Sequence, residues 1–208
     1  MLSLVIGNKQ LSSWSLRPWL VLRHLEIAFR EIPLTLDVPS FGPAIQQYSA
    51  AGRVPVLVDG DLGIWDSLAI IEYLHEKSAG RAWPSDPAQR AHARSISAEM
   101  HSGFAALRQS WPLQAATTGL RVPLSPEGRK DVARIDELWQ DCRRRHRNAG
   151  PWLFGKWSAA DAFYAPVVLR FRSYGASVSE VSAAYVSQTL ADPSLIEWIA
   201  AAEEEIAA

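Results

Sequence analysis

Three short stretches decide how this chain is read: Ser12-Ser13-Trp14-Ser15-Leu16-Arg17-Pro18, Val54-Pro55-Val56-Leu57 and Asp66-Ser67. The first sets hydroxyls just ahead of an apolar helix. There, unpaired N–H groups and the helix dipole favour an anion such as a thiolate. The second is a Val-Pro step at the mouth of a strand, where proline is tolerated if the chain turns sharply or the bond is cis. The third puts an acid and a hydroxyl at another helix start, suited to an ammonium and a carboxylate respectively.

Around these stretches the apolar period alternates between two and 3.6. Residues 2–6 are a short apolar run, and residues 16–25 have helical spacing through Leu16, Trp19, Leu20 and Leu22. Residues 31–36 alternate as a strand, and residues 41–48 are a short helical piece. Residues 56–58 and 62–65 flank Asp59-Gly60-Asp61, a hairpin turn. Leu68, Ile71 and Leu74 then mark a helix over 67–77. The order β-α-β-α-β-β-α predicts an α/β unit over residues 1–79, with 80–86, rich in Gly, Pro and Ser, as a linker.

Beyond it, residues 87–208 show only helical patterns, so the second unit is expected to be all-α. Ile96, Met100, Phe104, Leu107 and Trp111 form one stripe; Val132, Ile135, Leu138, Trp139 and Cys142 form another. Residues 119–128, with Pro123 and Pro126, separate these two helices. Further helices are expected over 162–174, 181–190 and 195–202. Ser158-Ala-Ala-Asp161 reads as a capping box with Asp in place of Glu or Gln, whose loss costs about 1 kcal/mol. Pro166 falls inside the helix that follows and is expected to kink it.

Composition narrows the function. Of 208 residues 48% are apolar, which supports a substantial core and excludes a disordered chain. Lys and Arg total 21 against 22 Asp and Glu, a balance with no bulk attraction for nucleic acid or anionic membrane. The basic run at residues 143–147 reads as a solvated helix end whose cations complement the dipole. The single cysteine, Cys142, leaves no internal disulfide and no multi-cysteine metal site. A reducing, cytoplasmic setting is expected, with no signal peptide, no membrane helix and no metal. His24, His75, His92 and His146 lack metal-ligand pairing and read as surface or packing residues. Most of the nine tryptophans are expected in the core or at interfaces.

The three opening stretches, with the Ser-x-x-Asp cap followed by Pro166, together resemble the glutathione transferase family over nearly the whole chain. Ser12-Ser13-Trp14-Ser15-Leu16-Arg17 is most similar to the Ser-Ser-x-Ser-x-Arg signature of zeta-class, maleylacetoacetate isomerase-like members. The resemblance implies a thioredoxin-like N-terminal domain joined to an all-helical C-terminal domain, in a homodimer. It implies a transferase that binds reduced glutathione and adds its sulfur to a small electrophile in detoxification, or uses it to isomerise a double bond. The alternative is a non-catalytic interaction module of the same fold. A thiol-disulfide enzyme would need a cysteine where Ser12 stands.

A free thiol titrates near about 8.5, so such an enzyme must stabilise the sulfur anion. Ser12 is the preferred hydroxyl donor because it lies five residues before Arg17, as the zeta pattern requires; Ser13 is the close second. Arg17 would tune the sulfur or anchor a carboxylate. The resemblance assigns glutathione binding to Ser12, Ser13, Val54, Pro55, Asp66 and Ser67, with Arg53 meeting the glycyl carboxylate and Ser40 a further contact. Val54 would pair its backbone with the cysteinyl unit beside a cis Pro55. The electrophile pocket is expected from Trp14, Met100, His101, Phe104 and Arg108, although Met100 and Phe104 also fall on the apolar stripe. His101 and Arg108 are candidate contacts to an acidic substrate. Trp14 stands where many zeta-class members carry cysteine.

Overall fold

The computed structural model describes residues 1–207. A four-stranded sheet of order β2-β1-β3-β4 is built from β1 (Leu2–Gly7), β2 (Phe29–Leu34), β3 (Val56–Asp59) and β4 (Leu62–Trp65). β1 runs parallel to β2 and antiparallel to β3, with Val5 opposite Val56. The apolar run of β1 is explained by cover on both faces. Leu4 and Ile6 join the core formed by α1 (Ser13–His24) and α3 (Ser67–Lys77), while Val5 joins Ile45 of α2 (Phe41–Gln46) on the other side. This is the thioredoxin-like arrangement.

The predicted second strand is displaced by two residues. Pairing with β1 sets its limits, from Leu2 opposite Phe29 to Gly7 opposite Leu34. Leu36 N–H then turns away to donate to Asn8 Oδ1 at 2.8 Å, ahead of Asp37 with φ +58°. The predicted hairpin is present, with Gly60 at φ +60° between β3 and β4.

The C-terminal part is helical: α4 (Pro87–Ser102), α5 (Ala105–Ser110), α6 (Pro126–His146), α7 (Ala159–Tyr174), α8 (Glu180–Leu190) and α9 (Pro193–Ala207). The stripe from Ile96 to Trp111 is not one helix, as its periodicity predicted. A Cβ at Gly103 would lie 2.7 Å from the Glu99 carbonyl oxygen, and Phe104 takes a left-handed φ of +56° before α5 begins. All five stripe residues remain buried, so the apolar spacing survives a break that it does not reveal. The helix α7 continues through Pro166, which lies inside it as expected, and is buried on almost every side.

One core spans both parts. The closest helix packing between them is α1 on α7. Residues 80–86 are pinned rather than loose: Ala82 and Trp83 are buried, the Ala82 carbonyl accepts from Ala159 N–H at 2.7 Å, and Trp83 Nε1 donates to Glu72 at 2.8 Å.

Asp161 is more than a surface cap. Fully buried, it accepts from Leu153 N–H at 3.1 Å, Ser158 N–H at 2.9 Å and the Tyr185 hydroxyl at 3.2 Å. Burial pushes its carboxyl up to about 6 despite these donors. Removing it strands several buried donors, so Asp161→Ala should cost about 3 kcal/mol in urea unfolding rather than the about 1 kcal/mol of an exposed cap. Because the folded carboxyl binds its proton more tightly than the unfolded one, its contribution to stability should decline as pH rises from about 4 to 6. The stability gap between wild type and Asp161→Asn should narrow over that range; a gap that widens would reverse the assignment.

Candidate functional site

Two adjoining cavities open where the sheet's loops meet the helical part. The first, about 590 Å³, is lined by Trp14, Arg53, Val54, Asp66, Ser67 and His101, among others. The second, about 490 Å³, has Ser12, Ser13, Trp14, Phe41, Arg108 and Arg170 in its wall. Trp14, Arg53, Val54 and Arg108 line both, so Trp14 stands at the junction.

The loop ahead of α1 is closed by Ser12, its N-cap. The Ser12 hydroxyl donates to Ser15 Oγ at 2.7 Å and accepts weakly from Ser15 N–H at 3.4 Å. Ser15 Oγ in turn accepts from Gly7 N–H, tying the helix start to β1. The hydroxyl preferred from the sequence is therefore committed to the cap. That of Ser13 has no hydrogen-bond partner among the described residues and lies on the wall of the second cavity. No acid sits in the first turn of α1; Ser13 N–H donates to the Leu11 carbonyl and Ser15 N–H to the Ser12 hydroxyl, which leaves Trp14 N–H without a partner among the described residues.

The Val54–Pro55 bond is cis. The N–H and carbonyl of Val54 lie beyond the β3 ladder and have no backbone partner among the described residues, which leaves them to a ligand. At the start of α3, Asp66 holds φ +76°, a conformation that a short polar side chain tolerates best. Its Oδ1 accepts from Leu68 N–H at 2.8 Å, and its Oδ2 lies 3.1 Å from His101 Nε2. His101 therefore reaches across to Asp66 rather than into the second cavity. The Ser67 hydroxyl is buried and has no hydrogen-bond partner among the described residues, and Ser67 lines the first cavity.

Of the expected electrophile contacts, Trp14 and Arg108 line both cavities and His101 the first. Met100 and Phe104 do not: both are buried in the core and line neither cavity. Ser40 also lies outside both. Arg170 of α7, together with Leu36, Phe41, Pro112 and Leu113, was missed. These residues come from loops, the start of α2 and a distant helix, and no local spacing marks them.

Arg17 is fully buried. Its Nε donates to the Phe163 carbonyl at 3.3 Å and its Nη1 to Ser13 O at 3.4 Å, while Nη2 has no partner. The guanidinium stacks 4.0 Å from the Trp14 ring centre. Burial, then Arg170 and Arg108, hold its pKa well below the usual arginine value. Cys142 lines neither cavity and is buried in α6, where desolvation pushes its thiol up to about 12. Among the described residues no cluster of three His, Cys, Asp or Glu side chains has metal-site geometry, and no helix is long and apolar enough to cross a membrane.

A thioredoxin-like sheet, an all-helical partner and a cleft between them lined by helix N-termini define a recognisable class. Residues 11–77 match the family model described as the glutathione S-transferase N-terminal domain. A probable maleylacetoacetate isomerase of Caenorhabditis elegans is 36% identical over 104 residues, 49% of this chain and 47% of that protein. A dichloromethane dehalogenase of Methylophilus leisingeri is 39% identical over 70 residues, 32% of this chain and 26% of that protein. The matches thus span a quarter to a half of these relatives' length. Among solved structures, a Burkholderia glutathione transferase homolog with bound glutathione superposes with TM-score 0.73 at 24% identity, covering 98% of both chains. The yeast prion protein Ure2p, in a complex with glutathione, superposes with TM-score 0.73 at 17% identity, covering 96% of this chain and 94% of the other. Residues 11–77 thus resemble a glutathione S-transferase N-terminal domain, the chain has the fold of solved glutathione transferases throughout, and about half of it is similar in sequence to a probable maleylacetoacetate isomerase.

A buried thiol with a pKa near 12 is a poor nucleophile. Native protein should react with an aromatic disulfide reagent at neutral pH at least 100-fold more slowly than urea-unfolded protein. Equal rates would mean that Cys142 is reached by solvent.

Proposed function

We propose that the protein binds reduced glutathione in the first cavity and transfers its sulfur to a small electrophile in the second. The observation that carries this reading is the set of unpaired polar groups along the two adjoining cavities: the Ser67 hydroxyl in the first, the Ser13 hydroxyl in the second and the Val54 backbone in both. Asp66 and Ser67 would take the ammonium and carboxylate of the γ-glutamyl end, and Val54 the cysteinyl backbone as an added strand. Arg53, exposed at the rim, would meet the glycyl carboxylate.

The thiol would then sit at the N-terminus of α1, where Ser13 donates to the sulfur anion and the helix dipole adds to the stabilisation. In substitution, a sulfur–carbon bond forms as the leaving group departs with the electron pair. In addition to an activated double bond, the proton given up by the thiol returns to the neighbouring carbon. A bound, oriented thiolate supplies proximity as well as nucleophilicity. The tripeptide complexes of the Burkholderia homolog and Ure2p are consistent with such a site on this fold.

We also propose a homodimer in the cytoplasm. Leu62 and Trp65 of β4 are 50% and 58% exposed beside an apolar hollow formed with Leu68 and Ala69 of α3. Such a patch is suited to a second copy.

Calorimetric titration with reduced glutathione tests the first step. Binding should weaken about tenfold in Ser67→Ala, whose hydroxyl has no structural partner. Ser13→Ala should lower kcat with aryl halides by about 10- to 1000-fold and leave glutathione affinity nearly unchanged. Ser12→Ala should mainly lower stability, by about 1 kcal/mol, as a lost N-cap does. No heat at millimolar glutathione in wild type would instead favour an interaction module without chemistry. A kcat unmoved in Ser13→Ala but lost in Ser12→Ala would return the sulfur to Ser12.

A further inference from the structure

A segment that lines neither cavity is bonded to two sides of the second. Asn8, Lys9 and Gln10 lie between the end of β1 and the cap of α1. The Asn8 carbonyl accepts from Ser12 N–H at 2.8 Å, so the segment leads directly into the serines. On one side, Asn8 Oδ1 accepts from Leu36 N–H at 2.8 Å. Leu36 seats so closely over β1 that a Cβ at Gly7 would lie 2.8 Å from its side chain. On the other side, Gln10 reaches the loop after α5, which contributes Pro112 and Leu113. Leu36, Pro112 and Leu113 are apolar parts of the second cavity's wall.

Gln10 is 8% exposed, and each of its hydrogen-bonding groups has a partner. Its N–H donates to Glu205 Oε2 at 3.0 Å, and its carbonyl accepts from Ala115 N–H at 3.0 Å. The side-chain oxygen accepts from Ala116 N–H at 2.8 Å. The side-chain nitrogen donates to Gln114 Oε1 at 2.7 Å and to Thr117 Oγ1 at 3.1 Å. A polar network satisfied in this way makes the parts that it joins rigid.

The two parts are also fastened separately. Arg170 Nε and the hydroxyls of Tyr174 and Ser173 donate to the carbonyls of Trp111, Pro112 and Gln114 at 2.8, 2.9 and 2.9 Å. The loop is thereby anchored to α7. The segment ahead of the serines is held by α9, where Glu205 accepts from Lys9 N–H at 2.8 Å and Trp198 Nε1 donates to the Lys9 carbonyl at 2.9 Å. Gln10 joins the part that carries Ser13 to the part that carries Pro112 and Leu113. With its backbone bond to Ala115 alone, one point would be fixed and the angle would not.

We propose that Gln10 is a positioning residue whose side-chain amide fixes the Pro112–Leu113 wall relative to the sulfur at Ser13, and so sets which electrophiles react. The inference rests on the transfer proposed above and names a determinant of its specificity. The reacting carbon must meet the sulfur while the body of the electrophile lies on that wall. Misplacement by about 1 Å costs about 100-fold in rate.

The test is steady-state kinetics of the intact protein with reduced glutathione and two alkyl iodides, ethyl and hexyl. In both reactions a sulfur–carbon bond forms, iodide leaves with the bonding electron pair and the thiol proton passes to solvent. The hexyl chain adds apolar length to lie on the wall, so wild type should prefer it. Gln10→Met, similar in length but without the amide, should lose about tenfold of the hexyl-over-ethyl preference in kcat/KM. Its glutathione Kd by calorimetry should match that of wild type. The pH at which bound glutathione ionises, read from thiolate ultraviolet absorbance, should also be unchanged. A second variant, Gln114→Met with Thr117→Val, removes both acceptors of the amide and should show the same split, so a poorly folding Gln10→Met does not end the test. A preference that survives in either folded variant overturns the proposal. So does loss of preference together with glutathione affinity, which a general loosening of the fold would produce. A shifted thiol ionisation with unchanged preference overturns it as well, because Gln10 would then act on Ser13. Wild type that consumes neither iodide, or both equally, sinks this inference alone if it still binds glutathione. If it binds no glutathione either, the transferase reading falls too.

Discussion

The contact on which the rest depends is the seat of Arg17 between α1 and α7. Its Nε bond to the Phe163 carbonyl joins the sheet half to the central helix of the other half, and its Nη1 bond returns to Ser13 at the head of α1. Burying this guanidinium without a carboxylate carries a desolvation penalty, seen in its depressed pKa. The apolar packing of α1 on α7 must offset that penalty, and Leu16, Trp19 and Leu20 with Phe163, Val167 and Val168 supply such a core. A leucine at this position would pack more cheaply. The charge is retained where the cavities meet, beneath the ring that separates them.

The loop before α1 is held with similar care. Glu205, near the end of α9, accepts from Lys9 N–H at 2.8 Å and Gln10 N–H at 3.0 Å, and Trp198 Nε1 donates to the Lys9 carbonyl. The Gln10 side chain reaches Gln114, Thr117 and Ala116 on the other side. Residues almost two hundred positions apart thereby fix the approach to Ser12 and Ser13. A hydroxyl that is to donate to a ligand atom must be placed within a few tenths of an ångström, and a free loop would not place it. The C-terminal helix is part of that placement.

Much of this was legible from local pattern. β1, β3, β4, α1 and α3 follow from apolar runs, period and turn chemistry that are local in the sequence. Ser12, Ser13, Val54, Asp66 and Ser67 stood out because helix starts and X-Pro steps have a local chemistry. What stayed hidden depends on distance. The break at Gly103 leaves the apolar stripe intact, since α5 resumes with Leu107 and Trp111 on the buried side. Arg170 sits inside a helix whose residues are nearly all buried, so no periodicity separates its face from the others. The engagement of Ser12 with Ser15, which leaves Ser13 the free hydroxyl, is a matter of rotamers that sequence spacing does not carry.

Trp14 makes sense in that light. A small side chain at this position would join the two cavities into one and expose the Arg17 guanidinium to water, where its field would be screened. The indole instead covers the guanidinium at 4.0 Å, carries Arg108 on its ring and meets His101 edge-on at 5.2 Å. It thus stands between the Asp66–His101 pair on one side and Arg170 on the other, with Arg53 and Arg108 shared by both cavities. A single ring therefore ties the head of α1 to the arginine of α5 and to the histidine that Asp66 engages.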